Sequence, residues 1–279
     1  MTSPAVIREL TQDELGLLLE WARLEGWNPG LADAEPFHAA DASGFLGCFN
    51  QEGMVAGISA VRYCQTYGFI GLYICHPDHR GKGFGKAIWE AGMDRLRGCT
   101  VGLDGVPEQQ ANYRRMGFET SYHTTRWTGQ IVASKPVSGG CAAASPEILP
   151  QLLSYDASVF GKKRTAFLPS WLQEPRKAFV RRRGGAITGY TVLRRCHEGF
   201  KIGPLFADGL SDAEGLMAAC ARETKDQVLS IDVPETQTTF SHLLLTRGMS
   251  PGFTTARMYK GGKRSFDPRT FAITTLELG

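Results

Sequence analysis

The segment HPDHRGKGFGKAIWEAG, residues 76–92, combines residue types that can bind an anion. Its glycines let the backbone approach a ligand closely because no Cβ stands in the way. A helix that begins around Gly83 would direct unpaired N–H groups, and the positive end of its dipole, at the same place. The glycines and cations of this loop are Arg80, Gly81, Lys82, Gly83, Gly85 and Lys86. The pattern predicts a phosphate-binding loop.

Two common phosphate-binding motifs fit this loop poorly. A Walker A loop needs a glycine, four residues and then Gly-Lys-Ser/Thr, but Arg80 takes the first position and Ala87 the last. A dinucleotide-binding fingerprint needs GxGxxG directly after a strand, whereas this loop reads GxGxG and follows a strand that ends near Cys75. Asp104 falls about where that fold has its ribose-binding acid, so a nucleotide-binding dehydrogenase stays open as an alternative.

A third candidate is a resemblance to a known superfamily. The stretch ICHPDHRGKGFGKAIWE resembles the acyl-CoA-binding segment of GNAT acetyltransferases, whose pattern Arg/Gln-x-x-Gly-x-Gly/Ala is matched by Arg80, Gly83 and Gly85. Downstream, ANYRRMGF resembles the family's Tyr-x-x-x-Gly-Phe segment, with Tyr113 as its tyrosine. Further stretches, including WARLEGWNPGLAD, GFIGLYI and VFGKKRTAFLPSWL, resemble two-domain YitH-type GNAT proteins. The likeness therefore covers nearly the whole chain.

The resemblance implies an N-acetyltransferase that uses acetyl-CoA as cosubstrate and a small-molecule or peptide amine as acceptor. In that fold strands 4 and 5 splay apart and the pantetheine arm lies in the gap. Ile74 and Cys75 would then offer main-chain contacts, and the loop from Arg80 to Lys86 would hold the pyrophosphate. Tyr113 would protonate the departing thiolate after direct attack by the amine. An acyl-CoA-binding regulatory module without turnover is the alternative.

The sequence does not decide which residue is the general base. Asp104 ends the apolar run CTVGLDG, where a strand-5 carboxylate would face the gap, but an aspartate there also suits a turn that bonds the following backbone. Glu25 and Asp33 are rivals in the region that the resemblance assigns to the acceptor wall, where Trp27 either lines a pocket or belongs to the core. Cys75 is a weaker candidate for a covalent nucleophile, because no partner that would lower its pKa is identifiable.

The chain also contains an internal duplication. Gly71 follows Gly57 by fourteen residues, and Gly203 follows Gly189 by the same spacing. Other landmarks recur in the same order, such as DGVPEQQ and DVPETQT. We therefore predict two tandem copies, an acetyl-CoA-binding GNAT domain over 1–134 and a degenerate GNAT-like domain over 141–279. The boundary is expected near residue 135, in a Pro/Gly/Ser-rich connection.

The second copy lacks the residues that would bind the cofactor. Where the first copy has its glycine loop, the second reads PLFADGLSDAEG, whose acids would repel a pyrophosphate. The position that corresponds to Tyr113 holds Leu244. We expect this copy to bind no CoA and to serve as a scaffold or as one wall of the acceptor site.

Local patterns predict an α/β class for each copy, an α+β mixed sheet flanked by helices. TQDELGLLLEWARLEG carries a capping box in Thr11 and Glu14, and Ser145 stands at the corresponding place in the second copy. The runs GFLGCFN, MVAGISAVRYC and GFIGLYIC are typical of strands joined by hairpins.

Composition bears on the partners and the cellular location of the protein. The net charge is +3 with acids and bases interspersed, which argues against nucleic-acid or membrane partners. The seven cysteines are scattered and never spaced as CxxC, and the N-terminus has no apolar signal core. We therefore expect a cytoplasmic protein with reduced thiols, no membrane span and no metal. The oligomeric state is left open.

Overall fold

The computed structural model describes residues 5–131 and 140–279, which form one mixed sheet of thirteen strands. The strands are β1 (Val6–Glu9), β2 (Phe45–Asn50), β3 (Gly53–Cys64), β4 (Tyr67–Cys75), β5 (Thr100–Gly105), β6 (Glu119–Gly129), β7 (Ala142–Ala143), β8 (Lys177–Arg183), β9 (Ala186–Arg195), β10 (Phe200–Ala207), β11 (Leu229–Pro234), β12 (Ser250–Lys260) and β13 (Thr270–Ala272). The helices are α1 (Gln12–Leu24), α2 (Ala34–Ala40), α3 (Phe84–Arg95), α4 (Pro107–Arg115), α5 (Leu149–Phe160), α6 (Phe167–Trp171), α7 (Leu210–Thr224) and α8 (Thr238–Thr246). The predicted mixed α/β class is confirmed.

The two copies exchange strands at the centre of the sheet. The strand order is β1-β2-β3-β4-β5-β12-β6-β11-β10-β9-β8-β7. Strand β12 of the second copy lies between β5 and β6 of the first, and β6 lies between β12 and β11 of the second. Neither half of the chain therefore completes its own sheet.

Local sequence signals account for the first helix and the hairpins that follow it. Thr11 Oγ1 accepts a hydrogen bond from the Glu14 N–H, and Glu14 accepts one from the Thr11 N–H, so the predicted capping box is present. Strands β2, β3 and β4 pair antiparallel in chain order, as their alternating apolar runs predict.

The corresponding helix start in the second copy differs from the prediction. Ser145 precedes a 3₁₀ turn over Pro146–Ile148 and makes no side-chain cap. Helix α5 begins only at Leu149, after this 3₁₀ turn, and such turns are frequent at the ends of α-helices. The predicted domain boundary near residue 135 lies outside the described residues.

The C-terminal segment packs through the interior and connects the two copies. After β13, Ile273 donates its N–H to the Asp232 carbonyl of β11 (3.1 Å). Further along, the Tyr63 hydroxyl donates to the Leu278 carbonyl (2.7 Å). Residues 273–279 are buried or nearly so, and they end against the first copy.

None of the described helices has both the length and the apolar character that crossing a bilayer requires.

Candidate active site

Strands β4 and β5 separate in the middle of the sheet and open a gap. They pair in parallel only from Tyr67 to Ile70 on β4 and from Thr100 to Leu103 on β5. Beyond that point the strands run on without pairing to each other, and the gap leads into a cavity of about 490 Å³. Backbone groups along the open edge of β4 can therefore bond a ligand that lies in the gap as an added strand.

A bulge in β4 marks the start of the gap. The register with β3 shifts between Gly71 and Ile74, and Leu72 has a positive φ of 46°. A bulge leaves extra backbone unpaired and re-aims the strand, and such features concentrate at functional sites. It supplies main-chain N–H groups at the edge of the cavity.

The glycine loop stands at the end of β4, as predicted. Gly83 is the N-cap of α3 in a left-handed conformation (φ 88°), and no side chain caps the helix. Gly81 is also left-handed (φ 75°). The first N–H groups of α3 have no intrahelical partner; that of Gly85 bonds the Cys75 thiol, and the others can bond an anion. Lys82 and Lys86 are exposed beside them.

Arg80 is anchored within the protein. Its Nε donates to the Cys75 carbonyl (3.0 Å), and its Nη2 donates to Glu25. Both side chains remain partly open to solvent and both line the cavity. Glu25, predicted as a rival base, is thus the counter-ion of the arginine that was predicted to meet the pyrophosphate.

Ile74 and Cys75 form the end of β4. Both line the cavity, and their backbones pair with β3 on the opposite edge. Burial raises the pKa of the Cys75 thiol, and the nearby Arg80 charge only partly offsets that rise. A raised pKa disfavours the thiolate, which argues against Cys75 as a covalent nucleophile.

Tyr113 reaches the cavity from α4. Its ring stacks on Trp89 with the centroids 5.4 Å apart, and its side chain is mostly buried. Burial raises the pKa of Tyr113, so the hydroxyl stays protonated at neutral pH and can act as a proton donor.

A second phenol, Tyr73 on β4, lines the same cavity. Burial raises its pKa as well. No sequence pattern distinguishes Tyr73, because a tyrosine in an apolar strand resembles any other strand residue until the bulge is known.

Asp104 lies in the gap at the end of β5, but its carboxylate is occupied. Arg257 of β12 donates to both Asp104 oxygens, from Nε (2.8 Å) and from Nη2 (2.7 Å). The Asp104 side chain has no solvent exposure, and burial raises its pKa against the opposing charge of Arg257. Its hydrogen bonds go to a partner across the sheet, so the alternative of an aspartate bonding its own turn is wrong.

The second copy supplies one wall of the cavity. Phe253 and Thr255 of β12 line it, together with Leu276 and Glu277 of the C-terminal segment. Trp27 of the first copy also lines the cavity. These residues had no sequence signal of their own, because strand exchange and the returning C-terminus bring them into place.

Asp33 is not part of the cavity wall. It is almost fully buried, accepts a hydrogen bond from the Gly30 N–H (2.8 Å) and lies 3.6 Å from Arg194. The expectation of a rival base at Asp33 is therefore corrected: this carboxylate fixes a turn and neutralises a buried arginine.

A buried group of charges fixes the backbone of Trp27. Arg126 Nη1 (3.1 Å) and Lys201 Nζ (2.9 Å) both donate to the Trp27 carbonyl. Asp232 accepts two hydrogen bonds from Arg126 (2.7 and 3.0 Å). Burial, followed by the charge of Arg126, lowers the pKa of Lys201 to about 8. The second copy thereby positions the aromatic wall of the cavity.

The described residues contain no cluster of three or more His, Cys, Asp or Glu side chains arranged to hold a metal ion. The features of the site that could bind a cofactor are the glycine loop, the start of α3 and the gap between β4 and β5.

Comparison with known proteins agrees with this geometry. Residues 7–118 match the family described as "Acetyltransferase (GNAT) family", and residues 152–270 match "Acetyltransferase (GNAT) domain". The holothin acyltransferase of Pseudoalteromonas sp. (strain SANK 73390) is 34% identical over 274 residues, covering 96% of this chain and 92% of that protein.

Two solved structures show the same fold. A putative acetyltransferase from Pyrococcus horikoshii superposes with a TM-score of 0.83 at 19% identity, over 99% of this chain and 96% of its own. A tandem GNAT protein from the clavulanic acid biosynthesis pathway superposes with a TM-score of 0.62 at 13% identity, over 94% of this chain and all of its own (100%). The predicted tandem arrangement is confirmed.

Proposed function

Because this chain belongs to the GNAT acetyltransferase family and is an acyltransferase, we propose that it transfers an acetyl group from acetyl-CoA to the primary amine of a small molecule. The amine attacks directly in a ternary complex. One observation supports the proposal. The gap between β4 and β5 has the start of α3, with Gly83 as its N-cap, at the end of β4, and Tyr113 lines the cavity of the gap.

The residues of the gap fit acetyl-CoA. The open edge of β4 offers backbone groups to a pantetheine amide, with Ile74 and Cys75 at its end. The glycine loop offers N–H groups and the charges of Lys82 and Lys86 to the pyrophosphate. Arg80 would exchange part of its contact with Glu25 for phosphate oxygens, which a guanidinium can bond with two parallel N–H donors.

The chain's own groups supply the chemistry of transfer. A backbone N–H of the β4 bulge would polarise the thioester carbonyl. Tyr113 would give its proton to the departing sulfur, since its raised pKa keeps it protonated until the transition state. Asp104 stays one candidate for the base, although both of its oxygens are held by Arg257.

The relative's name supports a small-molecule acceptor. That protein is a holothin acyltransferase, and it matches this chain over nearly its whole length. Holothin therefore belongs in the acceptor panel for this chain. We also propose a cytoplasmic location, which the scattered free cysteines support.

Turnover with free-thiol detection tests the proposal. Wild-type protein with acetyl-CoA should release CoA only when an amine is added, and mass spectrometry should find the acetylated amine. Tight acetyl-CoA binding without release for any amine, holothin included, would support the regulatory-module alternative instead.

Tyr113→Phe tests the acid. It should lower kcat at least tenfold and leave the KM for acetyl-CoA within about twofold, because a proton donor acts in the transition state. Tyr73→Phe is the matched comparison, since it removes a second phenol from the same cavity. If Tyr73→Phe lowers kcat and Tyr113→Phe does not, the acid is Tyr73.

A further inference from the structure

Four carboxylates line the cavity, and they differ in what they already bind. Glu25 is paired with Arg80, and Asp104 is paired with Arg257. Glu108 lies exposed on the first turn of α4. Glu277, from the C-terminal segment, is only 3% exposed, and its Oε2 has no hydrogen-bond partner among the described residues.

A hydroxyl in the same wall is also without a partner. Thr255 of β12 is 1% exposed, and its Oγ1 bonds nothing within the described parts of the chain. Buried polar atoms are normally hydrogen-bonded, and leaving one unpaired costs about 1–3 kcal/mol. Two such atoms in the wall of one cavity indicate that a ligand completes their hydrogen bonds.

Both atoms are acceptors for an amino group. A carboxylate oxygen only accepts hydrogen bonds, and a threonine hydroxyl can accept as well as donate. An acceptor amine carries the matching N–H donors. Nearby cations are Arg126 and Arg194, and the charge of Glu277 helps to raise the pKa of both arginines.

Much of the rest of the wall is apolar, and its other polar members are Glu25, Tyr73, Arg80, Asp104, Glu108, Gln109 and Tyr113. Ile70, Leu72, Leu103, Val106 and Leu276 line the cavity, with Trp27 and Phe253 as aromatic sides. A second ammonium group, or the hydroxyls of a sugar, would lose solvation against the apolar residues, because the other charged residues of the lining are exposed or already paired within the protein. The lining therefore favours an acceptor with one amino group on an apolar or aromatic body.

Resting on the acetyltransferase function proposed above, we propose that Glu277 and Thr255 bind the amino group of a small, largely apolar monoamine, and that Glu277 takes its proton. The nitrogen lone pair forms a bond to the acyl carbon while the bond from that carbon to sulfur breaks. The proton lost by nitrogen goes to Glu277, and the departing sulfur takes the proton of Tyr113. Water in the open cavity then returns the proton from Glu277 to the Tyr113 oxygen, which restores both groups.

Acceptor competition tests the class of substrate. Phenethylamine, spermidine, glucosamine and Nα-acetyl-lysine amide are compared by kcat/KM at saturating acetyl-CoA. We expect phenethylamine to exceed each of the others at least tenfold. Preference for spermidine or glucosamine would overturn the assignment to a monoamine.

Variants test the two residues. Glu277→Gln should lower kcat/KM for phenethylamine at least tenfold while the Kd for acetyl-CoA stays within about twofold, and Glu277→Asp should recover part of the loss. Thr255→Val should raise the KM for the amine without lowering the melting temperature, because its hydroxyl has no hydrogen-bond partner among residues 5–131 and 140–279. Glu9→Gln, which removes an exposed carboxylate on β1, is the control.

The outcomes separate this inference from the proposed function. If wild type turns over amines and Glu277→Gln retains the wild-type kcat/KM, the role of Glu277 is refuted and the acetyltransferase function stands. If wild type turns over no amine, the proposed function fails. In that case, calorimetry of phenethylamine binding to the CoA-saturated protein still tests whether Glu277 binds the amino group. Equal affinity in wild type and Glu277→Gln would refute that role.

Discussion

The backbone carbonyl of Glu277 lies so close to Gly71 that a Cβ on this glycine would overlap it. The same relationship recurs in the second copy, where a Cβ on Gly203 would overlap the carbonyl of Thr274. These are the matched glycines of the internal duplication. Both positions require a residue without a side chain, because the C-terminal segment passes directly over Gly71 in the first copy and over Gly203 in the second.

Gly71→Ala should therefore displace the C-terminal segment. Forcing a methyl group into this contact should lower the free energy of unfolding by about 1–3 kcal/mol. It should also weaken amine turnover, because Glu277 would move. Gly16→Ala is the matched control: Gly16 lies inside α1 with no atom within 4 Å of its added Cβ, so the same change should stabilise by about 0.5–1 kcal/mol. Denaturant unfolding measures both, and equal effects would contradict the close contact.

Gly83→Val should weaken acetyl-CoA binding at least tenfold, or about 1.4 kcal/mol. Valine is strained at a φ of 88°, so the start of α3 would change shape and misdirect its N–H groups. Gly98→Val is the control, because Gly98 is exposed just beyond the other end of α3 and has a φ of 84°. Calorimetry should find the loss only in Gly83→Val.

Arg80→Glu should weaken acetyl-CoA binding by a similar factor. It reverses a charge at the proposed pyrophosphate site and places a second carboxylate beside Glu25. Arg97→Glu, another exposed charge reversal just beyond the far end of α3, is the matched control. Unchanged affinity in both Arg80→Glu and Gly83→Val would refute the loop assignment.

The sequence predicted the local features of the site well. The loop, the helix start at Gly83, the strand carrying Asp104 and the helix carrying Tyr113 all lie where their motifs place them. Each depends on residues that are neighbours in the chain: glycines that permit a left-handed turn, an apolar run, or a proline at the first turn of a helix.

The sequence could not predict contacts made between the copies. The partner of Asp104 is Arg257, which is 153 residues away, and Glu277 reaches the cavity from the end of the chain. Strand exchange brings Arg257 to Asp104, and the returning C-terminal segment brings Glu277 to the cavity. An apolar strand pattern does not indicate which copy the strand will join. For the same reason, deleting residues 141–279 would remove β12 from between β5 and β6, so the full chain is the proper test system.

Asp104→Asn tests the structural role of Asp104. Breaking one partner of a buried ion pair typically costs about 3–5 kcal/mol, because Arg257 would keep an uncompensated charge. We expect a loss of that size in the free energy of unfolding.

The double variant Asp104→Leu/Arg257→Met separates the two roles of Asp104. Removing both charges should recover most of the stability. Retained amine turnover in this variant would exclude Asp104 as the base, whereas a large fall in kcat at near-normal stability would establish it.

The second copy should bind no CoA, because its own chain fills both parts of the corresponding site. Strand β10 pairs in parallel with β11 only from Phe200 to Ile202, so a gap opens there as it does in the first copy. Strand β13 lies in that gap, antiparallel to β10, and Ile273 then bonds β11. At the start of the next helix, α7, the carboxylate of Asp212 is buried and held by Arg181 (2.8 Å) and Arg183 (3.1 Å). A side-chain anion thus stands at the helix start where a phosphate would bind.

Equilibrium titration should therefore find one acetyl-CoA per chain. Gly83→Val should abolish or strongly weaken that single site. Gly209→Val is the matched control, because Gly209 is the N-cap of α7, in extended backbone and with no atom within 4 Å of an added Cβ. It should leave both the stoichiometry and the affinity unchanged, since no ligand approaches the start of that helix. Two equivalents of acetyl-CoA bound with similar affinity would mean that β13 leaves its gap, and the second copy would then be a working cofactor site.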